Sequence, residues 1–118
     1  MNDKNICILV VDDEVPILNM LKLRLSRIGF TVDTAVNGKD AINKIDHNFY
    51  NVILTDIKMP GISGDQILDY LRNKVKKSTP IIGMSGTPWL LAESQFDAVL
   101  SKPCTMEETL AAISSTLS

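Results

Sequence analysis

Strand-like apolar runs recur at residues 6–11, 31–35, 52–55, 81–84 and 98–100, and segments of helical period separate them. This alternation constrains the fold more than any other feature. Runs this short are buried strands, and parallel neighbours need a crossover long enough to hold a helix. The first helical segment opens at Pro16, suited to a first turn. It carries Leu18, Leu21, Leu25 and Ile28 on one face and stops at Gly29. The second covers 39–47 with Ala41, Ile42 and Ile45 inward, and the third starts near Asp65 with Ile67, Leu68, Leu71 and Val75 at helical spacing. The last begins "TMEE", where Thr105 and Glu108 have capping-box spacing, and continues through Leu110, Ile113 and Leu117. Strands alternating with helices predict an α/β fold, a parallel sheet covered on both faces. No linker, repeat, low-complexity run or Gly-rich phosphate loop interrupts the pattern, so one domain is expected, with its core at about 6–117.

Composition narrows the function classes. The 118 residues are 45% hydrophobic and 22% charged, which supports a packed core and argues against disorder. A net charge of −2 gives no global reason to bind nucleic acid or an anionic membrane. No apolar stretch approaches the roughly 20 residues of a membrane span. "MNDKN" runs into the first strand without a signal-peptide pattern, and Cys7 and Cys104 fit no metal or redox spacing. A cytoplasmic protein with reduced thiols is the expectation.

The chemistry gathers at the strand ends. Parallel α/β sheets bind ligands outside the carboxyl ends of their strands, near the switch in strand order. Asp12 and Asp13 follow the first strand, Asp56 the third, Ser85 the fourth and Lys102 the fifth. Taken singly, each acid reads as an ordinary turn or N-cap residue and the lysine as a solvated one. Five polar groups from four strands at one edge read as a site. Three carboxylates about 4 Å apart repel by roughly 4 kcal/mol per pair at an effective dielectric near 20, so a divalent cation belongs among them. Oxygen-only donors suit Mg²⁺ (or Mn²⁺) rather than Zn²⁺. A metal, an ammonium, a hydroxyl and an accessible carboxylate are the parts of phosphoryl transfer to a carboxylate nucleophile. Asp56 stands alone on its strand, while Asp12 and Asp13 are paired, which makes Asp56 the better nucleophile candidate.

"ILVVDDE", "YNVILTDIKMPGISG", "TPIIGMSG" and "VLSKP" together resemble the response-regulator receiver domains of two-component signalling. The resemblance spans nearly the whole chain. It implies a flavodoxin-like, doubly wound five-stranded sheet of order 2-1-3-4-5. It also implies a phosphorylation-dependent switch, with self-catalysed phosphoryl transfer and slow autodephosphorylation rather than an enzyme's turnover. Asp56 would accept phosphate from the phosphohistidine of a histidine kinase or a phosphotransfer protein, and the switch would control a downstream protein of unknown identity. Asp13 would bind Mg²⁺, Asp12 would help position the ion or its water, and the backbone carbonyl of Lys58 would be a further ligand. Ser85 would hydrogen-bond the phosphoryl group, and Lys102 would pair with it through an ion pair. The peptide bond before Pro103 would be cis. Neither end of the chain leaves room for an effector domain, so a free-standing receiver is expected.

Three departures qualify the resemblance. Gly86 follows Ser85 where the family usually has alanine, which keeps access to the site open. Val99 stands where relatives often carry a switching aromatic, so that coupling is absent or replaced. The stretch 85–102 is shorter than usual by about a helical turn, leaving "PWLLAES" as a shortened fourth helix. Trp89 and Phe96 in this region read as covers for the core edge, with Trp89 as a partner anchor the sharper alternative. Met59 reads as a loop residue packing near the site, His47 as a surface residue at a helix end, and "RNKVKK" at 72–77 as a solvated helix end. An aspartate-nucleophile phosphohydrolase would need an acid two residues after Asp56, where Lys58 stands. The remaining alternative is a receiver-like interaction module that works without phosphate.

Overall fold

The structure, a computed structural model, describes residues 6–87 and 95–117. Among these residues the chain runs β1 (Cys7–Val11), α1 (Val15–Ile28), β2 (Thr31–Ala35), α2 (Gly38–His47), β3 (Val52–Asp56) and α3 (Gly64–Asp69). It continues through β4 (Ile81–Ser85), β5 (Ala98–Ser101) and α4 (Met106–Leu117). The five strands form one parallel sheet in the order β2-β1-β3-β4-β5. This is the doubly wound topology that the sequence implied. Residues 88–94, which include Trp89 and the shortened helix expected there, lie outside the described residues.

Strand residues alternate between two cores, as a two-residue side-chain period requires. Leu9, Val11, Ile53 and Ile81 pack with Ala41, Ile45, Ile67 and Leu71 of the α2 and α3 side. Ile8, Val10, Leu54 and Met84 pack with Leu18, Leu21, Leu25 and Ile113 of the α1 and α4 side. Fully burying such a side chain contributes about 1.5–3 kcal/mol. Both faces of the central strands are covered, which is why β1 and β3 read as unbroken apolar runs.

The helix boundaries have local causes. Gly29, with φ of +124°, ends α1 in a conformation that side chains rarely adopt. Asn37 caps α2 by accepting from the Asp40 amide at 2.8 Å. Ser63 and Gln66 form a reciprocal capping box on α3, and Thr105 and Glu108 form the predicted one on α4. The third helix is not α-helical as far as Val75. After Asp69 it widens into a turn over Tyr70–Lys74, closed by the Val75 amide donating to the Tyr70 carbonyl at 3.0 Å.

The basic run 72–77 is only in part the solvated end that the sequence suggested. Arg72 donates to the carbonyls of Lys77 and Thr79 and to the Asp97 carboxylate at 2.9, 2.8 and 2.9 Å. Lys77 donates to the Ile45 carbonyl at 2.9 Å. Asp97 also accepts the Ile81 amide at 2.8 Å, which ties the starts of β4 and β5 together. Phe96 is buried in the α2–α3 core, the role expected of it, and Met59 is buried there too. His47 is exposed at the end of α2. No described helix is long and apolar enough to cross a membrane.

One glycine bears directly on the site. A Cβ on Gly64 would lie 2.6 Å from the Asp56 carbonyl oxygen and 2.8 Å from Ile57 Cα. Backbone cannot yield there without shifting the strand end. Gly64→Ala is therefore expected to destabilise the fold by about 1–3 kcal/mol in urea unfolding; unchanged stability would mean that α3 is not packed this closely on β3.

Candidate functional site

In the order β2-β1-β3-β4-β5 the chain leaves β1 in one direction and reaches β3 in the other. A crevice between their carboxyl ends follows from that reversal. The loop after β1 supplies Asp12 and Asp13. The Asp12 amide donates to the Ala35 carbonyl at 3.1 Å, which fixes the loop against the end of β2. Asp56 and Ser85 are the last paired residues of β3 and β4, so each strand runs one residue further than the sequence put its end. Lys102 directly follows β5, and its amide donates to the Ser85 carbonyl at 2.8 Å. The peptide bond between Lys102 and Pro103 is cis, as the resemblance implied.

Asp12, Asp13 and Asp56 each bring a carboxylate oxygen within 4.8 Å of the others. Asp12 is wholly buried, Asp56 is buried and Asp13 is exposed. The Lys102 ammonium lies 3.2 Å from Asp12 Oδ2 and 3.1 Å from Asp56 Oδ2, bridging β1 and β3 from β5. The other oxygen of Asp12 accepts the Glu14 amide at 2.9 Å. Glu14 Oε1 lies 3.8 Å from the same ammonium. The donor set is hard carboxylate oxygen on three residues with one side open, which fits a Mg²⁺-class cation.

The remaining predicted residues lie around this centre. Ser85 is buried at the same edge, but its hydroxyl is engaged locally: it accepts the Thr87 amide at 3.0 Å and lies 3.3 Å from the Thr87 hydroxyl. Lys58, two residues past Asp56, has an exposed side chain and lines a hollow beside the site together with Met59, Ser85 and Thr87. A Cβ on Gly86 would meet nothing within 4 Å, so this position does leave the approach open. Val99 pairs with Gly83 across β4–β5 and packs, half-buried, on the α2–α3 core. Sequence reasoning missed Glu14. The signal was the third consecutive acid of "DDE", which passes for an exposed residue until the fold brings Lys102 to it.

Burial pushes the Asp56 carboxyl above the ordinary aspartate range. Its hydrogen bond and attraction to Lys102 pull the other way without cancelling this, and the Asp12 charge adds to the rise. Burial opposes the Lys102 ammonium, but the charges and hydrogen bonds of Asp12 and Asp56 outweigh it and raise that group above the usual lysine value.

This is a doubly wound α/β domain with a carboxylate–lysine centre at the crevice beside its strand-order switch. The response regulator receiver domain model matches residues 8–114, and the chain belongs to that family. Protein PilG of Pseudomonas aeruginosa is 35% identical over 112 residues, covering 90% of this chain and 83% of that one. Response regulator ArlR of Staphylococcus aureus is 34% identical over 111 residues, and there the match covers 90% of this chain but only half of the relative. Among solved structures, response regulator TrrA of Thermotoga maritima, in complex with Mg(2+)-BeF, has a TM-score of 0.85 at 33% identity, covering 95% of this chain and 99% of that one.

The direction of the Asp56 shift makes a test of stability. A carboxyl raised above its unfolded value adds stability only at low pH, and that contribution is lost as pH rises through the folded pKa. Ionised Asp56 therefore costs stability at neutral pH. Asp56→Asn, with metal chelated, is expected to melt a few degrees above the parent at pH 7, where about 1 kcal/mol corresponds to roughly 3–6 °C. The gap should narrow toward roughly pH 4. A lower melting temperature at pH 7 would mean that Lys102 over-compensates Asp56.

Proposed function

We propose that the chain is a phosphorylation-controlled switch in which Asp56 takes a phosphoryl group from a phosphohistidine of a histidine kinase or phosphotransfer protein. One observation carries this reading. Asp56 is a buried carboxylate held 3.1 Å from Lys102 and within the three-acid cluster. A structural acid has no need of two further acids at that distance, whereas an acceptor that works beside a divalent cation does, because the acids hold the cation that offsets the phosphoryl charge.

An Asp56 carboxylate oxygen forms the new bond to phosphorus as the bond from phosphorus to the donor's imidazole nitrogen breaks, and that nitrogen leaves with the electron pair. Lys102 stays beside Asp56 and neutralises charge that builds on the phosphoryl oxygens. The Ser85 hydroxyl turns from Thr87 to the phosphoryl group, which links the site to the loop after β4. A bound Mg²⁺ would supply the remaining charge neutralisation for the transfer. Asp12, Asp13, Asp56 and the Lys58 carbonyl would hold it. The acid cluster supports this, and so does the Mg(2+)-BeF complex of the relative TrrA.

The protein acts as a stoichiometric switch in the cytoplasm rather than as a turnover enzyme. Phosphate on Asp56 biases a two-state equilibrium that a downstream protein reads. Acetyl phosphate with Mg²⁺ is expected to give an acid-labile, one-per-chain phosphate on the parent and none on Asp56→Asn. Lys102→Ala should slow labelling by about 10²-fold. Equal labelling of the Asn variant would show that Asp56 is not the acceptor. Partner affinity unaffected by phosphate would favour an interaction module that works without it.

A further inference from the structure

Three of the four described helices begin with a side-chain cap, from Asn37, Ser63 and Thr105. Helix α1 does not. Its N-cap residue is Glu14, whose side chain makes no cap hydrogen bond. Glutamate is a poor choice there, because serine, threonine, aspartate and asparagine reach the orphan amides better. Although 61% exposed, the Glu14 side chain lies with Oε1 3.8 Å from the Lys102 ammonium. The position gives up helix capping and gains a contact with the site.

That contact matters because of a conflict inside the cluster. Lys102 neutralises Asp12 and Asp56, two of the three carboxylates that a divalent cation would use. Cation and ammonium compete for the same groups, and they also repel each other. If the ammonium left the site, the phosphoryl charge on Asp56 would lose the side-chain cation that lies beside it. Among the described residues, the carboxylates within 4.0 Å of Lys102 Nζ are Asp12, Asp56 and Glu14. Of these, Glu14 alone is outside the three-acid cluster.

We propose that Glu14 is a positioning residue for Lys102: it receives the ammonium when a divalent cation takes Asp12, and so keeps Lys102 beside Asp56. The inference rests on the metal-dependent reading above and deepens it. Glu14 acts on the ammonium, not on the cation.

Calorimetric titration of the whole chain with Mg²⁺ tests this. Glu14→Gln is expected to weaken Mg²⁺ binding by roughly two- to fivefold, the scale of an exposed ion pair. In the Lys102→Gln background the same substitution should change affinity by less than roughly 1.5-fold, because the two residues act as a coupled pair. The same factor in both backgrounds, or no effect in the parent, would overturn the proposal. Glu14→Ser adds a second arm: it should match Glu14→Gln in Mg²⁺ affinity while melting no lower than the parent without metal, since serine restores a cap. A loss of stability parallel to the loss of affinity would mean that Glu14 is merely structural. If Lys102→Gln fails to fold, NMR of the Lys102 ammonium decides. With Mg²⁺ its protons should exchange slowly in the parent and rapidly in Glu14→Gln; equal exchange overturns the proposal. Absence of any Mg²⁺ binding by the parent would remove the metal-dependent reading itself and this inference with it.

Discussion

The ammonium of Lys102, set between Asp12 and Asp56, is the interaction on which the rest of the arrangement depends. Asp12 is wholly buried, and a buried carboxylate without a partner is among the costliest things a fold can contain. Lys102 makes the pair tolerable without making it comfortable, since burial still lifts Asp56 out of the ordinary aspartate range. A centre in this condition gains free energy from any further positive charge. That residual need separates this centre from a structural salt bridge, and it is what the proposed cation would satisfy.

The sheet makes the meeting possible at modest cost. Asp56 lies opposite Met84 and Ser85 opposite Ser101, so register alone brings Ser85 and the residue after β5 to the strand end that carries Asp56. At the other end, the Asp97 carboxylate ties Ile81 to Arg72 and fixes where β5 starts. A one-residue slip of β5 would reverse which face its side chains occupy and carry Lys102 away from the acids. The amino edge of the sheet thus sets the geometry of the carboxyl edge through four residues of rigid strand.

Much of this was legible in the sequence, for reasons that differ by residue. The strands could be read because both faces of the sheet are covered, so Ile8–Val11 and Val52–Leu54 leave no polar gap. The capping box at Thr105 and Glu108 is local and appears as predicted. Asp12, Asp13, Asp56, Ser85 and Lys102 could be placed at one edge because the topological rule needs only strand order. Contacts that depend on where long side chains turn could not be read. Arg72 and Lys77 looked like solvent-facing charges, yet both end on backbone carbonyls of neighbouring segments. The widened turn at Tyr70–Lys74 has no sequence signature, since "YLRNK" suits an ordinary helix equally well. Glu14 became meaningful only when residues 88 positions apart in the chain proved to be neighbours in space.

The proposed switch is compact. A change of charge at Asp56 acts directly on Lys102, 3.1 Å away, while Ser85 at the same edge is hydrogen-bonded to Thr87. Val99, packed on the core one strand away, offers no ring to relay the change. All of it presumes a cation beside Asp56. Mn²⁺-induced NMR relaxation measures that directly. Broadening should centre on the amides of residues 12–14, 56–58 and 102 and spare the amino edge around Asn51 and Asp97. Broadening that is uniform, or that centres on the amino edge, would contradict the site on which everything else rests.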